Sequence, residues 1–216
     1  KTVEKRTKVK ARIISYALKQ LITQSDTVFI MGHAIPDMDS FGASIGMYRA
    51  IKNKGKKCFI ILNSISESIK NIYEKLEKEQ PDYLDDIVPY EKVKNMSFKS
   101  SLCIVVDTHI PEQTESLELI NNIDKVVVID HHRRGESFIE NPMLTYLEPY
   151  ASSASELVSE ILYYIEDNIY MTKFDATALL AGIAVDTKNF AINTGVRTFE
   201  AASFLRKKGA NTEEVR

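Results

Sequence analysis

The stretch Thr27–Gly55, TVFIMGHAIPDMDSFGASIGMYRAIKNKG, decides the fold. Its first five residues are β-branched, aromatic and apolar, and read as a short strand buried on both faces. A turn rich in Pro and Asp follows, Ser40 can cap a helix over roughly 41–54, and Gly55 stops it. Lys57–Leu62 then reads as the next strand, which completes a strand, helix, strand unit. Leu102–Val106 and Val126–Ile129 are two further continuous apolar runs, each followed at once by Asp. Strands apolar on both faces suit a parallel sheet covered by helices.

Helical spacing extends the pattern outward. Helices are predicted over 13–22, 67–79, from Ser152 or Ser153 to about 167, from about 172 to 185, and over about 198–208 before Gly209. Met143–Leu147 adds a strand, whereas 81–100 has no clear period. The fold class is α/β: a doubly wound, mostly parallel sheet flanked by helices. Residues 1–12 read as a basic linker or helix start, 13–208 as the domain, and 209–216 as the start of a further connection.

Composition narrows the function. The 216 residues carry 28 Lys and Arg against 30 Asp and Glu, a net charge of −2, with 44% hydrophobic residues. That excludes collagen-like and strongly disordered classes, and a pI of about 6.2 argues against a partner as highly charged as long nucleic acid. Cys58 and Cys103 sit inside apolar runs and read as buried thiols. The longest apolar run, Ala178–Val185, is far shorter than the ~18 residues a bilayer requires. A soluble piece from a reducing compartment is expected.

The histidines carry the chemistry. His33, His109, His131 and His132 all lie within three residues after a predicted strand, accompanied by Asp37, Asp39, Asp107 and Asp130. The carboxyl ends of parallel strands meet along one crevice, so these groups converge. Carboxylates crowded together repel unless cations lie between them. Two divalent ions fit the pattern better than one, and a donor set of oxygen with some imidazole suits manganese, magnesium or iron. Such a pair can clamp a phosphate for attack by water, so phosphoester or phosphoanhydride hydrolysis is expected. His109 either supports a neighbouring group or faces solvent. Arg133 and Arg134 either contact phosphate or base, or form an exposed turn. Thr194 and Arg197 either bind a phosphate oxygen or cap and pair at the surface.

HAIPDMDSFGA, VVDTH, DHHRRG and GIAVDTKNF occur in the order of the motifs of the DHH phosphoesterase superfamily, which the chain resembles over nearly its whole length. That superfamily includes nucleases, oligoribonucleases, pyrophosphatases and cyclic-dinucleotide phosphodiesterases. VEKRTKVKARI, DHHRRGESFIENP and DTKNFAINTGVRTFEAASFLR are similar to the DHH part of GdpP-type cyclic-di-AMP phosphodiesterases. The resemblance implies that His33, Asp37 and Asp107 hold one metal, and that Asp39, Asp107, His131 and Asp186 hold the other. His132 would face the phosphate or the leaving oxygen, joining Asp107 and His131 in catalysis, and Asp130 would orient an imidazole. It further implies two manganese ions, hydrolysis of cyclic-di-AMP to linear pApA, a C-terminal DHH-associated domain beyond this chain, upstream sensory domains, a homodimer, and a cytoplasmic position in a membrane-anchored parent. The alternatives are a short-oligonucleotide hydrolase of the same superfamily and a regulatory module that binds nucleotide without turnover.

Overall fold

The computed structural model describes residues 2–214, with side chains from residue 5 onward. Lys1 of the basic run and the last two residues of the 209–216 segment lie outside the described residues. Six strands form one sheet: β1 (Thr27–Met31), β2 (Lys57–Ile61), β3 (Ile87–Val88), β4 (Ser101–Val106), β5 (Lys125–Asp130) and β6 (Leu144–Leu147). Their spatial order is β3-β2-β1-β4-β5-β6, and every neighbouring pair is parallel. The chain steps outward from β1 to β3, then returns to lay β4 on the other side of β1. The direction of winding thus reverses between β1 and β4, which opens a crevice beyond their carboxyl ends.

Among the described residues seven α-helices accompany the sheet: α1 (Thr2–Gln24), α2 (Met38–Asn53), α3 (Lys70–Glu79), α4 (Leu117–Asn122), α5 (Ala154–Ile165), α6 (Lys173–Asp186) and α7 (Val196–Lys207). Alternate strand residues feed two cores, as the pleat requires. Val28, Ile30, Leu102, Ile104, Val127 and Ile129 pack with residues of α1, α2, α5 and α6. Phe29, Met31, Cys103, Val105, Val126 and Val128 pack with Tyr90, Val93, Leu119 and Ile139. Helical cover is unequal, since α4 with short irregular segments closes the second face.

Two boundaries and two short elements stand out against the sequence reading. The helix expected over 13–22 extends back through the basic run to Thr2. The cap of α2 is Asp37, not Ser40: Asp37 is extended (φ −102°, ψ 178°) and its carboxylate accepts a hydrogen bond from the Ser40 backbone N–H at 2.8 Å. A carboxylate interacts with the positive end of a helix more strongly than a hydroxyl does. Strand β3 and helix α4 have two and six residues, too few for a period to show.

Helices α2 and α6 run antiparallel in close contact. A Cβ at Gly42 would lie 2.5 Å from the Ala178 carbonyl oxygen, and one at Gly182 would meet the Ser155 side chain and the Asp39 backbone. Backbones this close allow the start of α2, which carries Asp39, to meet the end of α6, which carries Asp186.

The loop after β4 is tied to the ends of β1 and β2. Thr114 bridges to His33, Glu115 N donates to the Gly32 carbonyl, and Glu115 Oε2 accepts from Asn63 N at 3.1 Å. Burial raises the Glu115 carboxyl to about 7 despite that hydrogen bond. A raised carboxyl pKa means that the folded state favours the proton. The associated stability is present below the unfolded value of 4.5 and is lost as pH rises through about 7. Glu115→Gln should therefore raise Tm at pH 8 by roughly 2–5 °C while changing it little at pH 5. Thermal melts of metal-free protein across that range check this, and equal shifts at both pH values would contradict it.

Candidate metal centre

Two strand ends and two helix ends build the site. Asp107 directly follows β4 in the left-handed region (φ 62°), a conformation Asp tolerates better than most residues. Asp130 ends β5, and His131 and His132 follow it. Asp39 lies in the first turn of α2 and Asp186 is the last residue of α6. His131 Nε2 lies 3.2 Å from Asp107 Oδ1, 3.3 Å from Asp186 Oδ2 and 3.5 Å from Asp39 Oδ2. One imidazole nitrogen thus faces three carboxylates that are far apart in sequence.

Asp39 is fully buried and held by another helix: its two oxygens accept hydrogen bonds from Ala154 N and Ser155 N, each at 2.8 Å. These are N-terminal amides of α5, donors that no intrahelical carbonyl satisfies. Burial, reinforced by Asp186, raises the Asp39 carboxyl to about 7. Asp107 is pushed up strongly, first by burial and then by Asp39 and Asp37. Asp186 sits at the negative end of α6, where a carboxylate is unfavourable without a nearby cation. Among the described residues, Asp107 Oδ1 and His131 Nε2 are buried without a hydrogen-bond partner.

A divalent cation fits this arrangement. Orphaned buried polar atoms are costly, and here one is a carboxylate oxygen and the other an imidazole nitrogen, the donors that manganese or magnesium accepts. Ligand atoms of Asp39, His131 and Asp186 lie within 4.8 Å of one another, as do those of Asp107, Asp130, His131 and His132.

Asp130 organises the histidines. Its Oδ2 pairs with His109 Nδ1 at 2.7 Å, its Oδ1 with His132 Nδ1 at 2.7 Å, and Oδ1 also accepts from His131 N at 2.8 Å. Burial by itself would raise this carboxyl, but the hydrogen bonds from His132 and His109 hold it below its ordinary range. With Nδ1–H committed to Asp130, each imidazole presents Nε2 elsewhere. That of His109, which is buried, accepts from Gly135 N at 3.4 Å. His132 stands at the mouth, and the same bond to Asp130 raises its pKa.

The remaining candidates are placed differently. Asp37 is exposed and caps α2, and it is near enough to raise the Asp107 carboxyl. His33 accepts a hydrogen bond at Nδ1 from Ile35 N at 3.0 Å and lies outside both close clusters. Arg133 and Arg134 are exposed, with the Arg134 guanidinium 3.8 Å from the Phe138 ring centroid. Thr194 is half-buried and donates to the Ile192 carbonyl. Arg197 is committed to a two-pronged pair with Glu160 (2.6 and 3.1 Å) and to Tyr146. The α5 amides that hold Asp39 escape sequence reasoning, because a cap at Ser153 signals free N–H groups without saying which carboxylate arrives.

The chain is 48% identical over 212 residues to the cyclic-di-AMP phosphodiesterase GdpP of Bacillus subtilis (strain 168), covering 97% of this chain and 32% of that protein. It is 47% identical over 213 residues to the cyclic-di-AMP phosphodiesterase PdeA of Listeria monocytogenes serotype 1/2a (strain 10403S), with the same coverages. The chain thus spans about a third of the length of these curated relatives. Among solved structures, an exopolyphosphatase-related protein from Bacteroides fragilis shares the fold, with a TM-score of 0.75 at 20% identity over 94% of this chain and 58% of that one. Residues 27–183 match the model of the DHH family, N-terminal domain, and the chain belongs to that family.

Proposed function

We propose that this domain carries the metal-dependent hydrolytic centre of a cyclic-di-AMP phosphodiesterase. The observation that carries the reading is the meeting of His131 Nε2 with Asp39, Asp107 and Asp186 oxygens within 3.5 Å, at the point where the sheet reverses its winding. The cyclic dinucleotide is chosen because the relatives near half identity act on it. Asp39, Asp107, His131 and Asp186 would hold one divalent ion, and Asp107, Asp37 and His33 a second, with manganese the best match to the donor set. Counting Asp37, Asp39, Asp107 and Asp186, four negative charges balance two divalent cations. Such ions supply Lewis acidity toward a phosphoryl oxygen and lower the pKa of water.

The chain's own groups do the rest. Water adds to phosphorus, the P–O3′ bond breaks, and the departing 3′ oxygen takes a proton. His132, with Nδ1 fixed on Asp130 and a raised pKa, is suited to hold that proton at Nε2. Arg133, exposed beside His132, offers positive charge to the substrate phosphates. Residues 13–208 form the catalytic unit of this proposal, 209–216 lead to a second domain that closes the cleft, and the whole protein works as a homodimer. Its parent carries upstream sensory domains and a membrane anchor, with this unit in the cytoplasm; no helix among the described residues is long and apolar enough to cross a membrane.

The test is a product assay on the full-length protein with manganese, offering cyclic-di-AMP, linear pApA and pyrophosphate separately. The expected result is conversion of the cyclic substrate to pApA as the fastest reaction. Faster turnover of pApA would identify a short-oligonucleotide hydrolase instead, and nucleotide binding without product would identify a regulatory module.

A further inference from the structure

Beside the metal centre lies a cavity of about 490 Å³ that the hydrolytic set does not use. It opens between the loop after His132 and the β5–β6 edge, and its lining includes His109, Arg134, Phe138, Asn141, Thr145 and Leu147. We propose that this cavity seats one purine base of the substrate, with Arg134 and Phe138 as a stacking wall and Asn141 as the residue that reads the base edge. The proposal rests on the hydrolase reading and adds to it a specificity subsite.

Position comes first. His109 lines the cavity, and its Nδ1 is bound to Asp130, whose other oxygen holds His132. The cavity is therefore separated from His132, the group that would face the scissile phosphate, by one imidazole and one carboxylate.

The lining suits a flat heterocycle. The Arg134 guanidinium lies 3.8 Å from the Phe138 centroid, and guanidinium and aromatic planes are the surfaces on which unpaired bases stack. Val128 and Leu147 add apolar lining, whereas Glu140 offsets the charge of Arg134. A site for phosphate alone would need net positive charge, so the balanced lining favours a neutral ring. Asn141 is exposed, and its carboxamide is free of protein partners among the described residues. A carboxamide offers a donor and an acceptor side by side, the complement of the N6 and N7 edge of adenine. Asn141 also stands at φ 53°, a conformation Asn adopts readily, and Pro142 follows it.

The test uses the full-length protein with manganese and two variants, Phe138→Leu and Asn141→Gly. Leucine removes the stacking plane but keeps apolar volume, and glycine removes the carboxamide while accepting the positive φ. The readout is the ratio of kcat/KM for cyclic-di-AMP to that for its abasic analogue. Each variant should lower this ratio by about tenfold, and Asn141→Gly should also reduce the preference for cyclic-di-AMP over cyclic-di-GMP. Ratios within twofold of wild type in both variants would overturn the subsite while leaving the hydrolase reading intact. If the wild type cleaves nothing, the hydrolase reading fails by itself. Calorimetry then decides the cavity: roughly tenfold weaker binding of AMP, with ribose 5-phosphate binding unaltered, supports the base site, and equal effects on both overturn it.

Discussion

Asp107→Ala should reduce hydrolysis of cyclic-di-AMP by the full-length protein by about a thousandfold or more, a loss of about 4 kcal/mol in transition-state stabilisation. The reason is position: Asp107 Oδ1 is buried, makes no hydrogen bond and lies 3.2 Å from His131 Nε2, with Asp39 and Asp37 beside the same carboxyl. In the proposed centre Asp107 would serve both cation sites, so its loss would affect both. Metal content by elemental analysis should fall with activity. Alanine also adopts the left-handed backbone at φ 62° less readily than aspartate, so Asp107→Asn is the cleaner variant. It separates charge from conformation and gives a crossing result. Burial and neighbouring carboxylates push the Asp107 pKa up, so at neutral pH the metal-free fold must hold a proton on a carboxyl that is ionised in the unfolded chain, and this costs stability. Metal-free Asp107→Asn should melt above metal-free wild type, by roughly 5 °C for about 2 kcal/mol. Saturating manganese should reverse that order, because the ion stabilises the state that binds it more tightly. Retention of metal and turnover by Asp107→Ala would sink the proposed centre.

The sequence makes the sheet legible because β1, β2, β4 and β5 are apolar on both faces and end at charged or turn residues. It makes the site partly legible for a related reason. A strand that ends in Asp or His at the carboxyl edge delivers that group to the crevice, and Asp107, Asp130, His131 and His132 all obey this rule. Contacts between helices are another matter. Nothing local says that the Asp39 carboxylate will accept the first amides of α5, 115 and 116 residues away, or that Asp186 at the end of α6 will approach the same imidazole. Those encounters depend on the close approach of α2 and α6 at Gly42 and Gly182. The two readings of His109, supporting a neighbour or facing solvent, are likewise decided only in three dimensions, where it is buried against Asp130. Asp37 displaces Ser40 as the cap because both residues satisfy the capping pattern and only backbone geometry separates them.

Asp130→Asn should lower kcat by about a hundredfold while leaving manganese content within about twofold of wild type, a separation that distinguishes orienting a histidine from ligating metal. Asp130 is fully buried and accepts three hydrogen bonds, from His109 Nδ1, His132 Nδ1 and His131 N. An amide of the same shape has one oxygen, and its nitrogen cannot accept from an Nδ1–H. Either His109 or His132 must then rotate or change tautomer. If His132 does so, the group proposed to carry a proton to the leaving oxygen loses both its orientation and the carboxylate that raises its pKa. If His109 does so, its link to Gly135 N at 3.4 Å loosens and the loop of Arg133 and Arg134 shifts with it. The frustrated hydrogen bond should also lower Tm by roughly 3–8 °C, since an unpaired buried polar group costs about 1–3 kcal/mol. His109→Ala removes only the outer link of the chain and should cost kcat nearer to tenfold. Loss of manganese from Asp130→Asn, in step with loss of activity, would instead make Asp130 a metal ligand, consistent with its place within 4.8 Å of the Asp107, His131 and His132 donor atoms.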